Sequence, residues 1–394
     1  MRVAWISFFP IEWMPGVPKA FASLPRQHPA TWQLVLLEEF KKVPNLKVEV
    51  VVVRKQFERS VSFDLDGVSF HCLKVPAGMR TLSLFWWETL LIRRCLKRLQ
   101  PDLVHAWGAE RGAALVASRL PYPYLVTMQG LLGWYLEHLD LGPLAKLEAR
   151  LENLSLRRAT QVTVESTFGV QWLKRHHPHL EVYQAEHAPG RAFSEVHREP
   201  QLRPLRFLFV GIGSFRKGTD LLLLALDRLI AELDFQATLV GAMEGEFLQE
   251  MQSKTSAALW KRITLHSHLE PAQIAQEMQQ ATMVVFPTRV DNSPNSVKEA
   301  VVAGVPVVAS AIGGILDYVI PGKNGLTFRA GDLDGFVEAI RAAVSHPLLG
   351  QGKVDQQTLM QMRDYLSAKV MGEGFLAAYQ RVLETVRDGP RKAL

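Results

Sequence analysis

Short apolar runs separated by helical stretches recur along the whole chain, and this alternation limits the possible folds more than any other feature. VAWISF (3–8), VEVVVV (48–53), LVHAW (103–107), YLVTM (124–128) and QVTVES (161–166) read as buried strands, with helical patterns at 30–42, 86–99 and 144–158 between them. A polar, proline-bearing segment follows at 194–204. A second series then begins: RFLFVG (206–211), ATLVG (237–241), ITLHS (263–267), MVVFP (283–287), VPVVAS (305–310) and GLTF (325–328). Strands that alternate with helices imply parallel, doubly wound sheets covered on both faces. The expectation is an α/β protein with two Rossmann-like domains, 1–198 and 199–370, facing a cleft, and a last long helical pattern at 365–387. A length of 394 residues agrees with two domains.

Composition excludes several classes. A hydrophobic content of 48% gives each domain enough apolar surface for its own core. Cys72 and Cys95 stand in apolar surroundings without metal-ligand spacing, which implies buried thiols in a reducing compartment. The start, MRVAWISFFP, lacks the parts of a signal peptide, and no run of eighteen apolar residues spans a bilayer. The expected location is cytoplasmic, with at most a peripheral contact on the inner face of a membrane. The net charge of +6 falls wholly in residues 1–200. That suits an acidic acceptor, an anionic membrane or plain solvation; no nucleic-acid module is recognisable, so no nucleic-acid partner is expected. The segment 82–99, LSLFWWETLLIRRCLKRL, joins apolar residues to Arg93, Arg94, Lys97 and Arg98. It reads either as an interfacial helix on anionic lipid or as a core helix whose basic end complements its dipole. His176, His177 and His179 flank Pro178 with no Cys or carboxylate at metal spacing, so a surface turn is expected there.

Two segments carry chemistry. In 286–328, FPTRVDNSPNSVKEAVVAGVPVVASAIGGILDYVIPGKNGLTF, a strand ends at Pro287, a polar loop follows, and a short helix opens at Asn295 and Ser296 and closes at Gly304. A loop entering a helix N-terminus favours an anion, foremost a phosphate. In 207–226, FLFVGIGSFRKGTDLLLLAL, Gly211, Gly213 and Gly218 flank a strand-to-helix turn, and Arg216 and Lys217 stand just before the helix. Each has a plainer reading. Ser296 and Glu299 match an S-x-x-E capping box, and Arg216 and Lys217 fit a solvated loop.

Taken together, PT…DNSPNSVKEAVVAGVPVVAS…GG and VGIGSFRKG resemble the donor-site motifs of retaining glycosyltransferases of the GT-B fold, glycosyltransferase family 4. Asp291 and Glu299 stand eight positions apart, the family's spacing for two acidic residues. The resemblance implies sugar contact for Asp291, ribose binding for Glu299, and leaving-phosphate stabilisation by Lys217 with Arg216. It also implies that Gly16, Gly213, Asn295 and Ser296 line the nucleotide-sugar site. PDLVHAWGAERG (101–112) and LVTMQG (125–130) are similar to first-domain segments of the family, which makes His105 and Gln129 candidate acceptor or sugar contacts. His105 reads equally as a satisfied histidine at a strand end. The chain departs from the family at Ile212 (usually Arg), Asp291 (usually Glu), Asn292 (usually Gly), Trp107 and Gln129 (usually His), and in having only Gly16 in its first loop. Residues 371–394 are expected to cross back onto the first domain, as is common in the fold.

The resemblance implies transfer from a nucleotide-sugar, foremost a UDP-sugar, to a glycan or lipid-linked acceptor, with no metal and no other cofactor. The resemblance also implies that the leaving diphosphate itself takes the acceptor's proton. Two other classes stay open: an epimerase or phosphorylase on the same fold, and a binder that has lost turnover.

Overall fold

The computed structural model describes residues 1–24, 30–76, 83–109 and 112–388. Leu82, Glu110, Arg111 and 389–394 therefore lie outside the described residues. The chain divides into two units: Met1–His187 together with the Ala368–Asp388 helix, and Ala188–Ser367.

The first unit is built on an eight-stranded sheet. Its strands are β1 (Arg2–Ser7), β2 (Lys47–Arg54), β3 (Val61–Leu65), β4 (Val68–Lys74), β5 (Leu103–Trp107), β6 (Tyr124–Met128), β7 (Gln161–Val164) and β8 (Glu181–Gln184). They lie in the order β3-β4-β2-β1-β5-β6-β7-β8, all parallel except β3 against β4. The five apolar runs are its interior, buried on both faces as a parallel sheet requires. Three strands were not expected. β3 and β4 form a hairpin closed by Asp66 and Gly67, both at positive φ, which is the Asp-Gly turn that suits strand twist. β8, EVYQ, is a short edge strand that is nowhere fully buried, so it carries no apolar run to read.

The second unit has six parallel strands: β9 (Leu205–Val210), β10 (Phe235–Val240), β11 (Ile263–His266), β12 (Met283–Phe286), β13 (Val307–Ser310) and β14 (Gly325–Phe328). The order is β11-β10-β9-β12-β13-β14. All six fall within two residues of the expected runs. In each sheet one strand, β1 or β9, has neighbours to which the chain departs in opposite senses. At such a switch point the flanking loops diverge and leave a crevice beyond the strand ends.

The helical pattern expected at 365–387 is two helices. Gln356–Tyr365 ends in the second unit, and Ala368–Asp388 packs in the first against the Thr31–Phe40 helix, β5 and β6. A buried polar chain fastens it. The Tyr379 hydroxyl accepts from Trp5 Nε1 (3.0 Å) and lies 2.7 Å from His105 Nδ1. His105 Nε2 lies 2.6 Å from Thr127 Oγ1, which is 2.6 Å from Thr163 Oγ1. Burial, with His187 nearby, holds His105 well below its ordinary pKa, so the ring is neutral. Every group is then satisfied if Tyr379 donates to Nδ1 and Nε2–H donates to Thr127. This corrects the assignment of His105 as a ligand contact: it is fully buried, with both nitrogens engaged inside the core. Among the described residues, no helix is long and apolar enough to cross a membrane.

Tyr379→Phe leaves two buried nitrogens short of a partner. It is expected to lower stability by about 1–3 kcal/mol, read as a shift in the urea midpoint, whereas Val386→Ala on the exposed face of the same helix is expected to change little.

Candidate active site

The second unit's switch point brings together the loop after β9 and the loop after β12. Their contact is tight. Gly218 has φ +71°, and a Cβ there would stand 1.8 Å from the Pro287 carbonyl oxygen, so only glycine fits. The Arg289 amide donates to the Arg216 carbonyl (2.9 Å), and the Thr288 hydroxyl donates to the same oxygen (3.2 Å). The Arg289 guanidinium then grips the first loop. Its Nη1 and Nη2 each donate to one Asp220 oxygen at 2.7 Å, Nη1 also donates to the Phe215 carbonyl (2.6 Å), and the group stacks 3.6 Å over the Phe215 ring. A bidentate, mostly buried pair of this kind fixes direction as well as distance. Sequence reasoning missed Arg289, Asp220 and Phe215. The partners lie 69 positions apart in no motif.

Held in this way, Lys217 and Arg216 face Asp291. Lys217 Nζ donates to Asp291 Oδ2 and lies 5.1 Å from the centre of the Phe286 ring. Arg216 Nη1 stands 4.0 Å from the same oxygen. Burial pushes the Lys217 ammonium below its ordinary pKa, Asp291 opposes that shift, and Arg216 adds to it. The solvated-loop reading of these cations does not hold. The Asp291 backbone is pinned from the far side by the Gly-Gly turn: a Cβ on Gly313 (φ +56°) would fall 2.0 Å from the Asp291 carbonyl oxygen, and the Gly314 amide donates to the Asn292 carbonyl at 2.6 Å.

The same loop feeds the Asn295–Ala303 helix, with Asn295 and Ser296 as its first two residues and Gly304 (φ +74°) closing it. Pro294 is the N-cap and has no side-chain acceptor, so the helix start is open toward an anion. The capping-box reading of Glu299 fails for this reason, because Ser296 is already inside the helix. Glu299 is half-buried, and its carboxylate makes no hydrogen bond to the described residues. Desolvation pushes its carboxyl up to about 7, against the opposing charge of the fully buried Lys298.

Gly213 needs a correction. It is buried, and its amide donates to the Ala242 carbonyl (2.8 Å), so that N–H is not offered to a ligand. A Cβ there would meet Met243 Cγ at 2.7 Å, and its role is to let the loop pass.

In the first unit, Gly16 (φ +77°) is an exposed turn residue in the loop after β1. Gln129, half-buried at the end of β6, lines a cavity of about 200 Å³ beyond the first sheet's own switch point at β1 and β5. Ser7, hydrogen-bonded to Gln33 Oε1 at 2.6 Å, borders the same cavity with Glu88, Trp107 and Glu148. Gly16 and Gln129 belong to one unit and the cationic cluster to the other.

Solved structures share this architecture. Sucrose-phosphate synthase from Thermosynechococcus elongatus superposes with a TM-score of 0.75 at 15% identity, over 98% of this chain and 99% of that one. Anabaena Alr3699/HepE in complex with UDP does so with a TM-score of 0.70 at 13% identity, over 97% and 100%. The fold is therefore that of the GT-B glycosyltransferases. Two family models match successive stretches, "Glycosyltransferase Family 4" over 35–182 and "Glycosyl transferases group 1" over 204–346. The chain belongs to this glycosyltransferase family. Among curated relatives, D-inositol 3-phosphate glycosyltransferase 1 of Catenulispora acidiphila is 30% identical over 36% of this chain, and glycogen synthase of Mycobacterium tuberculosis is 29% identical over 39%. The matched stretches span 36% and 37% of the length of those relatives.

Because the folded Glu299 value lies above the ordinary one, the fold favours the neutral carboxyl. Its contribution to stability is full below the ordinary carboxylate range and is lost as pH rises through about 7. A ligand hydroxyl that donates to the carboxylate has the opposite dependence. Affinity for a ligand that donates a hydroxyl to this carboxylate is expected to rise about ten-fold or more as Glu299 ionises, and Glu299→Gln is expected to flatten that rise, both measured by calorimetry with UDP as the probe across neutral pH.

Proposed function

We propose that this chain transfers a glycosyl group from a nucleotide diphosphate sugar, foremost a UDP-sugar, to a glycan or glycolipid precursor of the cell surface, with retention and without a metal. The observation that carries the reading is the meeting of Lys217, Arg216 and Asp291 beside an uncapped helix start. Breaking the bond from the anomeric carbon to the β-phosphate oxygen leaves an electron pair, and negative charge, on that oxygen while the sugar becomes oxocarbenium-like. Two cations and a helix N-terminus are what such a leaving group needs. The acceptor hydroxyl attacks from the same face and passes its proton to the departing phosphate, so no separate base is required. In this reading the diphosphate takes over the cations, Asp291 turns to the sugar, and Glu299 accepts from the ribose hydroxyls. The described UDP complex of HepE supports the choice of base.

One observation favours a binder without turnover: Ile212, where the family usually has Arg, is an exposed side chain on the loop that carries Lys217. The test is a thermal-shift screen against UDP, GDP, ADP and CMP and their sugars, in chelator and then with metal, followed by release of nucleotide from whichever sugar binds. A shift with turnover in chelator supports the reading. A shift without turnover leaves the binder, and silence across the panel overturns both.

Lys217→Ala is expected to lower turnover by about 10²–10³ while weakening nucleotide affinity much less, since its charge is aimed at the leaving oxygen. Steady-state kinetics beside calorimetry separate the two, and equal losses would mean that Lys217 only binds.

A further inference from the structure

The exposed face of the Trp86–Leu99 helix has no role in anything above. At 100° per residue, Trp86, Trp87, Leu90, Arg93, Arg94, Lys97 and Arg98 fall in one arc of roughly 140°, and all seven are exposed. Glu88, Thr89, Ile92 and Leu96 face inward. The helix's only acid is thus buried, and its outer face carries four cations that form no ion pair among the described residues.

The start of the helix is held in a costly conformation. Leu84 and Phe85 both have positive φ, at +45° and +63°, although neither is glycine. Phe85 turns inward against Gly112, where a Cβ would stand 2.5 Å from its ring. Leu84 and Trp86 turn outward, 47% and 54% exposed. Arg119 secures them: its Nη1 donates to the Leu84 carbonyl at 2.6 Å, and its guanidinium lies 4.4 Å over the Trp86 ring. Local strain and a fifth cation therefore keep large apolar groups in water rather than hide them.

We propose that this face docks on an anionic lipid bilayer. Tryptophan with leucine at the exposed end fits the boundary between headgroups and acyl chains, and the cations on the following turns fit acidic headgroups. Charge complementarity distinguishes a bilayer from a second copy of the chain, whose equivalent face is equally basic. The inner side of the same helix, at Phe85, Glu88 and Ile92, walls the cavity that holds Gln129. Docking would therefore set that cavity beside the headgroups, where a lipid-linked acceptor is presented. The docking itself does not depend on the transferase reading.

The test is flotation of the full chain with phosphatidylcholine vesicles, with and without phosphatidylglycerol. The protein is expected to float only with the anionic vesicles. Each surface cation contributes about five-fold in partitioning, so Arg93→Glu/Arg94→Glu/Lys97→Glu is expected to reduce it by about a hundred-fold or more. Trp86→Ser/Trp87→Ser should weaken it while net charge is unchanged. Lys174→Glu/Arg175→Glu, on another exposed helix of the same unit, should leave it within about two-fold, and circular dichroism checks that each variant is folded. No flotation, retention of binding by either helix variant, or an equal loss in the control overturns the proposal. Self-association lost in the same variants, without flotation, would give the face to a second copy. Flotation needs neither donor nor acceptor, so a chain that floats yet transfers nothing overturns only the transferase reading.

Discussion

The adjacency of β9 and β12 is the constraint from which the rest of the second unit follows. Two parallel strands that are neighbours in space but far apart in sequence deliver their loops to one place, and the chain leaves them in opposite directions. Gly218 lets the loops touch, the Arg289–Asp220 pair locks them, and only then do Lys217 and Asp291 stand within bonding reach. A buried ammonium without its carboxylate would lose its proton or draw in water. Asp291 therefore does structural duty in the ligand-free protein: it opposes the loss of the Lys217 proton that burial favours.

The first unit solves a different problem with the same topology. Its switch point opens a cavity lined by few charges and many apolar side chains. Its centre is tied together through hydroxyl, imidazole and indole groups that cross four strands and one distant helix. Buried polar chains of this sort stabilise only when complete. Of the departures from the family pattern, Trp107 packs its ring against Trp5 and His105 beside this network, and Gln129 lines the cavity.

Legibility in the sequence followed burial. The inner strands of the second sheet could be read almost residue by residue because a parallel strand buried on both faces is a nearly unbroken apolar run, whereas its edge strands β11 and β14 are partly exposed. β8 carries no such run, and the β3–β4 hairpin was overlooked although Asp66-Gly67 announces it. The side to which His105 points was not legible, because every residue of β5 is buried and alternation vanishes. Lys217, Asp291 and Glu299 were singled out because motif spacing survives in one dimension, and the structure brings the first two together. Arg289 and Asp220 were not, because strand order, which sets two loops side by side, is written nowhere locally. The capping-box alternative for Glu299 drops out because Pro294 starts the helix earlier than Ser296 would.

The return of the Ala368–Asp388 helix to the first unit bears on the order in which the chain can mature. The second unit is continuous in sequence and has all its residues once Ser367 is made. The first unit, though synthesised first, lacks Phe375 and Tyr379 until the final stretch appears, and until then Trp5 and His105 have no Tyr379 hydroxyl to meet. Folding during synthesis usually runs from the amino end. Here the earlier-made unit is the later one to close, and a chain that lost its last few turns would leave an intact second unit attached to an unfinished first.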